Sequence, residues 1–242
     1  MKLNVALFFA GLFGAMAVVF ILLSFGTDYW LLASESCPPP SDDGHTAEEL
    51  GDMSVQNYTD GAISYHEGFF WRCSFVGNVQ EDDLQWTLWF TNQPHLKVCM
   101  HAYLFPFPVS QHTHNATAYE SAIIYRGFWS IFMLIGVAAA LLAGFFIICA
   151  APFASHCLYK TGGGFFLASG FFLLCVVVMY VLWIEVLDVV DIYVNYRRST
   201  MCSDFQLTLN YGLSFIFAPI GIFFSLLAGL LFLLIGRTIK NH

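Results

Sequence analysis

The residues best suited to chemistry in this chain are its histidines, a short run of carboxylates and its cysteines. Of eight histidines, His95, His101, His112 and His114 lie close together in sequence. A zinc site takes about four converging ligands at recurrent spacings with second-shell support. These four lack such a spacing, so they read as a histidine-rich polar loop, and no metal is expected. Glu185, Asp188 and Asp191 recur every third residue, a spacing that lines one face of a helix. Either a cation site or a salt-bridged helix end would use them. Carboxylates at the carboxyl end of a helix oppose its dipole, so partners are expected, and Arg197 and Arg198 are near enough to supply them. Gly162-Gly163-Gly164 follows Lys160 with no strand before it and no Gly-Lys-Ser/Thr after it, which points to a tight turn and away from a phosphate loop. Ser-His-Asp, paired-carboxylate and dinucleotide patterns are also missing. No catalytic residue, cofactor or small-molecule substrate is expected.

The elements that must position these residues are unusual for a soluble protein. The chain of 242 residues is 58% hydrophobic and only 11% charged, with 26 Phe, whereas a soluble domain carries roughly a quarter charged residues. Four runs, 3–25, 127–150, 163–184 and 212–235, contain no Asp, Glu, Lys, Arg or His. Each reaches the roughly 20 residues that a helix needs to cross hydrocarbon. Inside lipid the backbone must close its own hydrogen bonds, so continuous runs of this kind are helices. The first run exceeds a signal-peptide core of about 7–15 residues and reads as an uncleaved anchor.

Charge sets the expected orientation. All 17 Asp and Glu fall in 26–126 and 185–211, while the amino terminus, the 151–162 connection and the 236–242 tail carry Lys2, Lys160, Arg237 and Lys240 without an acid. That is the positive-inside pattern: both termini are expected to face the cytoplasm of a multi-pass membrane protein, and the net charge of −8 belongs to the outside. Such a charge disfavours nucleic acid as a partner; membrane lipid and another membrane protein remain. The fold class is an all-α four-helix transmembrane bundle with a small extracellular antiparallel sheet. Small residues every four positions, as in Ala6, Ala10 and Gly14 or Gly221, Ser225 and Gly229, suit close helix packing within the bundle or a dimer face. Pro219 predicts a kink in the fourth span.

The first outer segment, 26–126, is too long for a simple connection. Its part from 38 to 61 is Pro-, Ser- and acid-rich and reads as a flexible insertion. Strands are expected at 29–33, 68–75, 84–90 and 98–105. The second outer segment, 185–211, suits a helix extension, a turn and one strand. Cys37, Cys73, Cys99 and Cys202 lie outside, where disulfides form, and four cysteines permit three pairings. Joining Cys73 to Cys99 ties neighbouring strands and leaves Cys37 with Cys202 to staple the two loops. Cys149 and Cys157 at the cytoplasmic side are palmitoylation candidates or free thiols, and Cys175 is a buried thiol. Asn57-Tyr58-Thr59 and Asn115-Ala116-Thr117 are glycosylation acceptors. Among the aromatic residues of the loop, Phe69, Phe70, Trp86, Trp89 and Phe90 are candidate partner contacts, Trp86 and Trp89 foremost. Trp30 and Trp71 are expected in the loop core or the headgroup belt.

Trp30, Gly68 with Phe70-Trp71, Cys73, Cys99 and Arg126 at the second span resemble the marker residues of the claudin and peripheral myelin protein superfamily. Two departures stand out: Phe70 replaces a leucine, and 25 residues separate the two cysteines. The tail Ile239-Lys240-Asn241-His242 also lacks the terminal valine motif of claudins. The stretches 25–33, 66–73, 124–129, 148–156 and 221–233 resemble one vertebrate, muscle-associated branch of that superfamily. This resemblance implies a plasma-membrane protein that restrains myoblast differentiation and fusion through the integrin beta-1 subunit. A claudin-type junction protein and an auxiliary channel subunit are the alternatives.

Overall fold

The computed structural model describes residues 3–37, 63–76, 97–102, 116–153, 155–200 and 202–241. Uncharged length decides the four long helices: α1 (Leu3–Gly26), α2 (Ala116–Phe153), α3 (His156–Val181) and α5 (Leu213–Asn241). All four are long and apolar enough to cross a membrane. Helix α1 packs along α5, α5 along α3, and α3 along α2. Their outward faces remain apolar and exposed, with Phe8, Phe128, Phe145, Phe171 and Phe223 among them, which is the surface a helix presents to lipid.

Several boundaries differ from those expected. Helix α2 begins at Ala116, well before position 127, because a spanning helix can continue into water once its first turns are polar. The 151–162 connection is almost wholly helical: α2 ends at Phe153 and α3 starts at His156. Gly162, Gly163 and Gly164 therefore lie inside α3 and form no turn. Gly162 and Gly163 instead allow close packing. A Cβ on Gly163 would sit 2.9 Å from the Gly229 carbonyl and 3.1 Å from the Leu233 nitrogen, and one on Gly162 would sit 2.6 Å from Ile147. Helix α5 runs through Pro219 without interruption.

A five-stranded antiparallel sheet stands at one end of the bundle, in the order β4-β3-β2-β1-β5. Its strands are β1 (Leu31–Ser36), β2 (Ile63–Glu67), β3 (Trp71–Val76), β4 (Val98–His101) and β5 (Gln206–Tyr211). β2 lies where no strand was expected, and the strand expected at 68–75 runs instead from Trp71 to Val76 as β3. The expected strand at 84–90 and the acidic insertion at 38–61 lie outside the described residues. Between α3 and β5 come a π-helical turn (Leu182–Val186) and a separate helix α4 (Val189–Thr200).

Register sorts the sheet into two faces. Leu31↔Glu67, Ala33↔Tyr65 and Leu31↔Tyr211 are paired, so Leu31, Ala33, Glu35, Tyr65, Glu67, Leu209 and Tyr211 share the face turned to the bundle and α4. The core follows: one cluster joins Ile21, Trp30, Phe69, Trp129, Tyr180 and Trp183 of the junction to Val189 and Tyr193 of α4. A second fills the other half of the bundle around Phe166, Phe232 and small residues such as Ala10, Ala17 and Ala143.

Gly163 and its neighbour give a matched test of helix packing. Gly163→Ala should lower the thermal midpoint of the purified protein by the equivalent of about 1–3 kcal/mol of overpacking. Gly164→Ala, with nothing within 4 Å of its added Cβ, should leave it unchanged or slightly higher.

Candidate functional site

The junction between sheet and bundle begins at the end of α1, where the last carbonyls of a helix need outside donors. The Trp30 indole N–H donates to the Ser24 carbonyl (2.7 Å), and the Ser24 hydroxyl donates to the Ser214 carbonyl of α5 (2.7 Å). The Thr27 and Ser214 hydroxyls share a 2.6 Å hydrogen bond. Gly212 lets the chain entering α5 lie against Tyr29, whose carbonyl oxygen a Cβ at that position would strike. Trp30 is 1% exposed and meets Phe69, Tyr180 and Phe215 edge to face at 4.5, 5.1 and 5.6 Å. Edge-to-face contacts of this kind add to the burial of the rings themselves.

The β2–β3 turn drops onto this aromatic floor. Phe69 is buried against Phe25, Trp30 and Trp129, so it belongs to the seam and is not an exposed contact. Gly68 is required here, since a Cβ would lie 2.6 Å from the Asp28 Cα. Arg126 of α2 donates to the Phe69 carbonyl (3.4 Å). Phe70 and Trp71, by contrast, are about half exposed. Trp71 is therefore not in the loop core; it stacks on His101 at 5.1 Å.

A buried carboxylate fastens α4 to the sheet. Glu35 of β1 is 7% exposed. Its Oε1 accepts from the Tyr65 hydroxyl of β2 (2.6 Å) and the Tyr193 hydroxyl of α4 (2.5 Å), and its Oε2 accepts from Arg197 (2.9 Å). Arg197 Nε also donates to the Tyr193 oxygen (3.0 Å). Burial first, and the neighbouring Glu35 charge second, push both phenols up, Tyr193 to about 12, so both remain donors at neutral pH. Beside this network Cys37 is bonded to Cys202, and at the other side of the sheet Cys73 of β3 is bonded to Cys99 of β4.

The Glu185, Asp188, Asp191 series departs from expectation. The helix does not continue through it: Asp188 has φ 50° and separates the π-helical turn from α4. Asp191 thus sits in the first turn of a new helix, where a carboxylate favours the dipole. Arg197 is committed to Glu35, and Arg198 donates to the Phe205 carbonyl (3.3 Å). Glu185 instead accepts from the Tyr211 hydroxyl (2.6 Å), which raises that phenol's pKa further after burial has raised it. The three acids line a cavity of about 300 Å³ with Leu31, Asn210 and Tyr211. Among the described residues no group of three His, Cys, Asp or Glu is placed to hold a metal ion. Trp86, Trp89, Phe90, Asn57, Asn115, His95, His112 and His114 lie outside the described residues. Of the free cysteines, Cys157 is exposed and Cys149 and Cys175 are half-buried.

Four apolar spanning helices and a small antiparallel sheet at one end define a claudin-like membrane protein. The family model for the PMP-22/EMP/MP20/Claudin tight junction proteins matches residues 15–234, and the chain belongs to that family. Transmembrane protein 182 of Danio rerio is 58% identical, covering 100% of this chain and 99% of its own length. Its counterparts in Gallus gallus and Homo sapiens are 51% and 49% identical, covering 99% and 100% of this chain and 98% and 100% of their own lengths.

Removing one partner of a buried ion pair leaves the other uncompensated. Glu35→Ala should cost about 3 kcal/mol of stability in chemical or thermal unfolding, even with Cys37 and Cys202 still bonded. A Tyr193→Phe change, which removes one of three donors, should cost about 1 kcal/mol.

Proposed function

We propose that this chain is a non-enzymatic recognition protein of the plasma membrane, with both termini in the cytoplasm and the sheet and α4 outside. The observation that carries the reading is the fastening of α4 to the sheet and of the sheet to the bundle. Glu35, its three donors and the Cys37–Cys202 bond join two distant parts of the chain into one block. A block of this kind, held at fixed height over the lipid, suits binding to a neighbouring protein, because little conformational freedom is lost on contact. The segregation of acidic residues and the acceptors Asn57 and Asn115 support the outward placement of the sheet.

Full-length similarity to Transmembrane protein 182 supports a finer reading: association with the integrin beta-1 subunit, through which the protein restrains myoblast differentiation and fusion. Trp86 and Trp89 are the proposed contacts. A second reading, adhesion of the claudin type, is favoured by the family match and by the exposed strand β4, whose Val98 and Met100 are 61% and 50% exposed. That reading predicts raised resistance across an epithelial layer expressing the protein.

The double change Trp86→Ala, Trp89→Ala should reduce co-purification of integrin beta-1 from muscle-cell membranes several-fold, as loss of aromatic hot spots does, with surface expression unchanged. Loss of surface expression would make those rings structural; unchanged co-purification would remove them from the contact.

A further inference from the structure

Glu35 has three donors; Glu67, on the same face of the sheet, has none for its Oε2. It ends β2, directly beside the turn that seats the sheet on the bundle, and is 4% exposed with no hydrogen-bond partner for Oε2. The nearest cation atom, Arg72 Nε of β3, is 3.9 Å away, beyond hydrogen-bonding range. That guanidinium lies over the Tyr65 ring instead, 4.2 Å from its centroid. Arg126 of α2 exerts a weaker pull and reaches the Phe69 carbonyl. Tyr180 of α3 faces Glu67 from the bundle, with Tyr211 of β5 beyond it. From β1 the paired neighbour is Leu31, and the Tyr65 hydroxyl on β2 is already given to Glu35.

A carboxylate whose Oε2 is shut off from water and from hydrogen-bond donors, with its guanidinium no nearer than 3.9 Å, is costly to keep charged, whereas a protonated carboxyl carries no charge to solvate. We propose that Glu67 is a proton-dependent seat for the extracellular sheet: neutral, it lets the β2–β3 turn rest on the bundle, and ionised, it loosens that turn. Burial, opposed by Arg72 and then Arg126, holds its carboxyl up at about 8 against an ordinary 4.5. The folded protein then keeps a proton that the unfolded chain releases. The stability this proton supplies is complete below about pH 4.5, declines as pH rises, and is gone above about pH 8. Ordinary carboxylates that are hydrogen-bonded in the fold act with the opposite sign, so Glu67 must be isolated by difference.

The test uses the full chain in lipid nanodiscs. Infrared difference spectra between wild type and Glu67→Gln should show a protonated-carboxyl stretch in the wild type at neutral pH that vanishes with a midpoint near 8. Over the same range the folding equilibrium of Glu67→Gln should gain on the wild type by up to about tenfold per pH unit. Should the glutamine variant fail to fold, Arg72→Gln decides: losing the nearby guanidinium should move the midpoint of the wild-type band upward. A band missing at neutral pH, a gap between the two proteins that stays flat with pH, or a midpoint unmoved by Arg72→Gln would overturn the proposal.

Discussion

A polar group in hydrocarbon has no water to bond to, and every part of this molecule is arranged around that fact. The backbone answers it with four helices that close their own hydrogen bonds. The side chains answer it by leaving those helices free of charge through their central lengths. Helix packing then has to proceed without a hydrophobic driving force, which is why backbone contact through Gly163 and Gly229 matters. The charged residues are displaced to the helix ends, and most fall in the segments at the end that carries the sheet.

That concentration of polarity explains how sheet and bundle become one body. The last carbonyls of α1 would be left unsatisfied beside lipid; the Trp30 indole and the Thr27 hydroxyl take two of them, and the hydroxyls of Ser24 and Thr27 bond to Ser214 and bring α1 and α5 together. Trp30 does two jobs at once: its N–H caps α1, and its ring forms the floor on which Phe69 rests. Further along the same face of the sheet the same logic produces the Glu35 network, where a buried charge is tolerated because three donors converge on it.

The helices were legible from the sequence because long runs without charge are poorly suited to water and well suited to hydrocarbon; Trp30, Gly68 and Arg126 were legible only as marks of family resemblance, and the structure shows them at the junction of sheet and bundle. The remainder was hidden for identifiable reasons. Strand β2 reads Ile-Ser-Tyr-His-Glu, which looks polar, yet Ile63, Tyr65 and Glu67 alternate onto the inner face and His66 is buried on the other, stacked on Tyr29. Its period of two was visible; its burial was not. Arg197 stands close to Asp191 in sequence, but its partner is Glu35, 162 positions away, and no local pattern announces a pair that distant. The glycines after Lys160 looked like a turn because water-soluble helices avoid them, whereas membrane helices use them for contact.

Recognition outside the cell depends on which side of the membrane the sheet occupies. In a Cys157→Ser background, cysteines placed at Thr208, on the exposed face of β5, and at Thr238, near the end of α5, probe the two sides. On intact cells a membrane-impermeant maleimide should label Thr208→Cys at once and Thr238→Cys only after permeabilisation. Labelling of Thr238→Cys on intact cells, or protection of Thr208→Cys, would contradict the outward placement of the sheet.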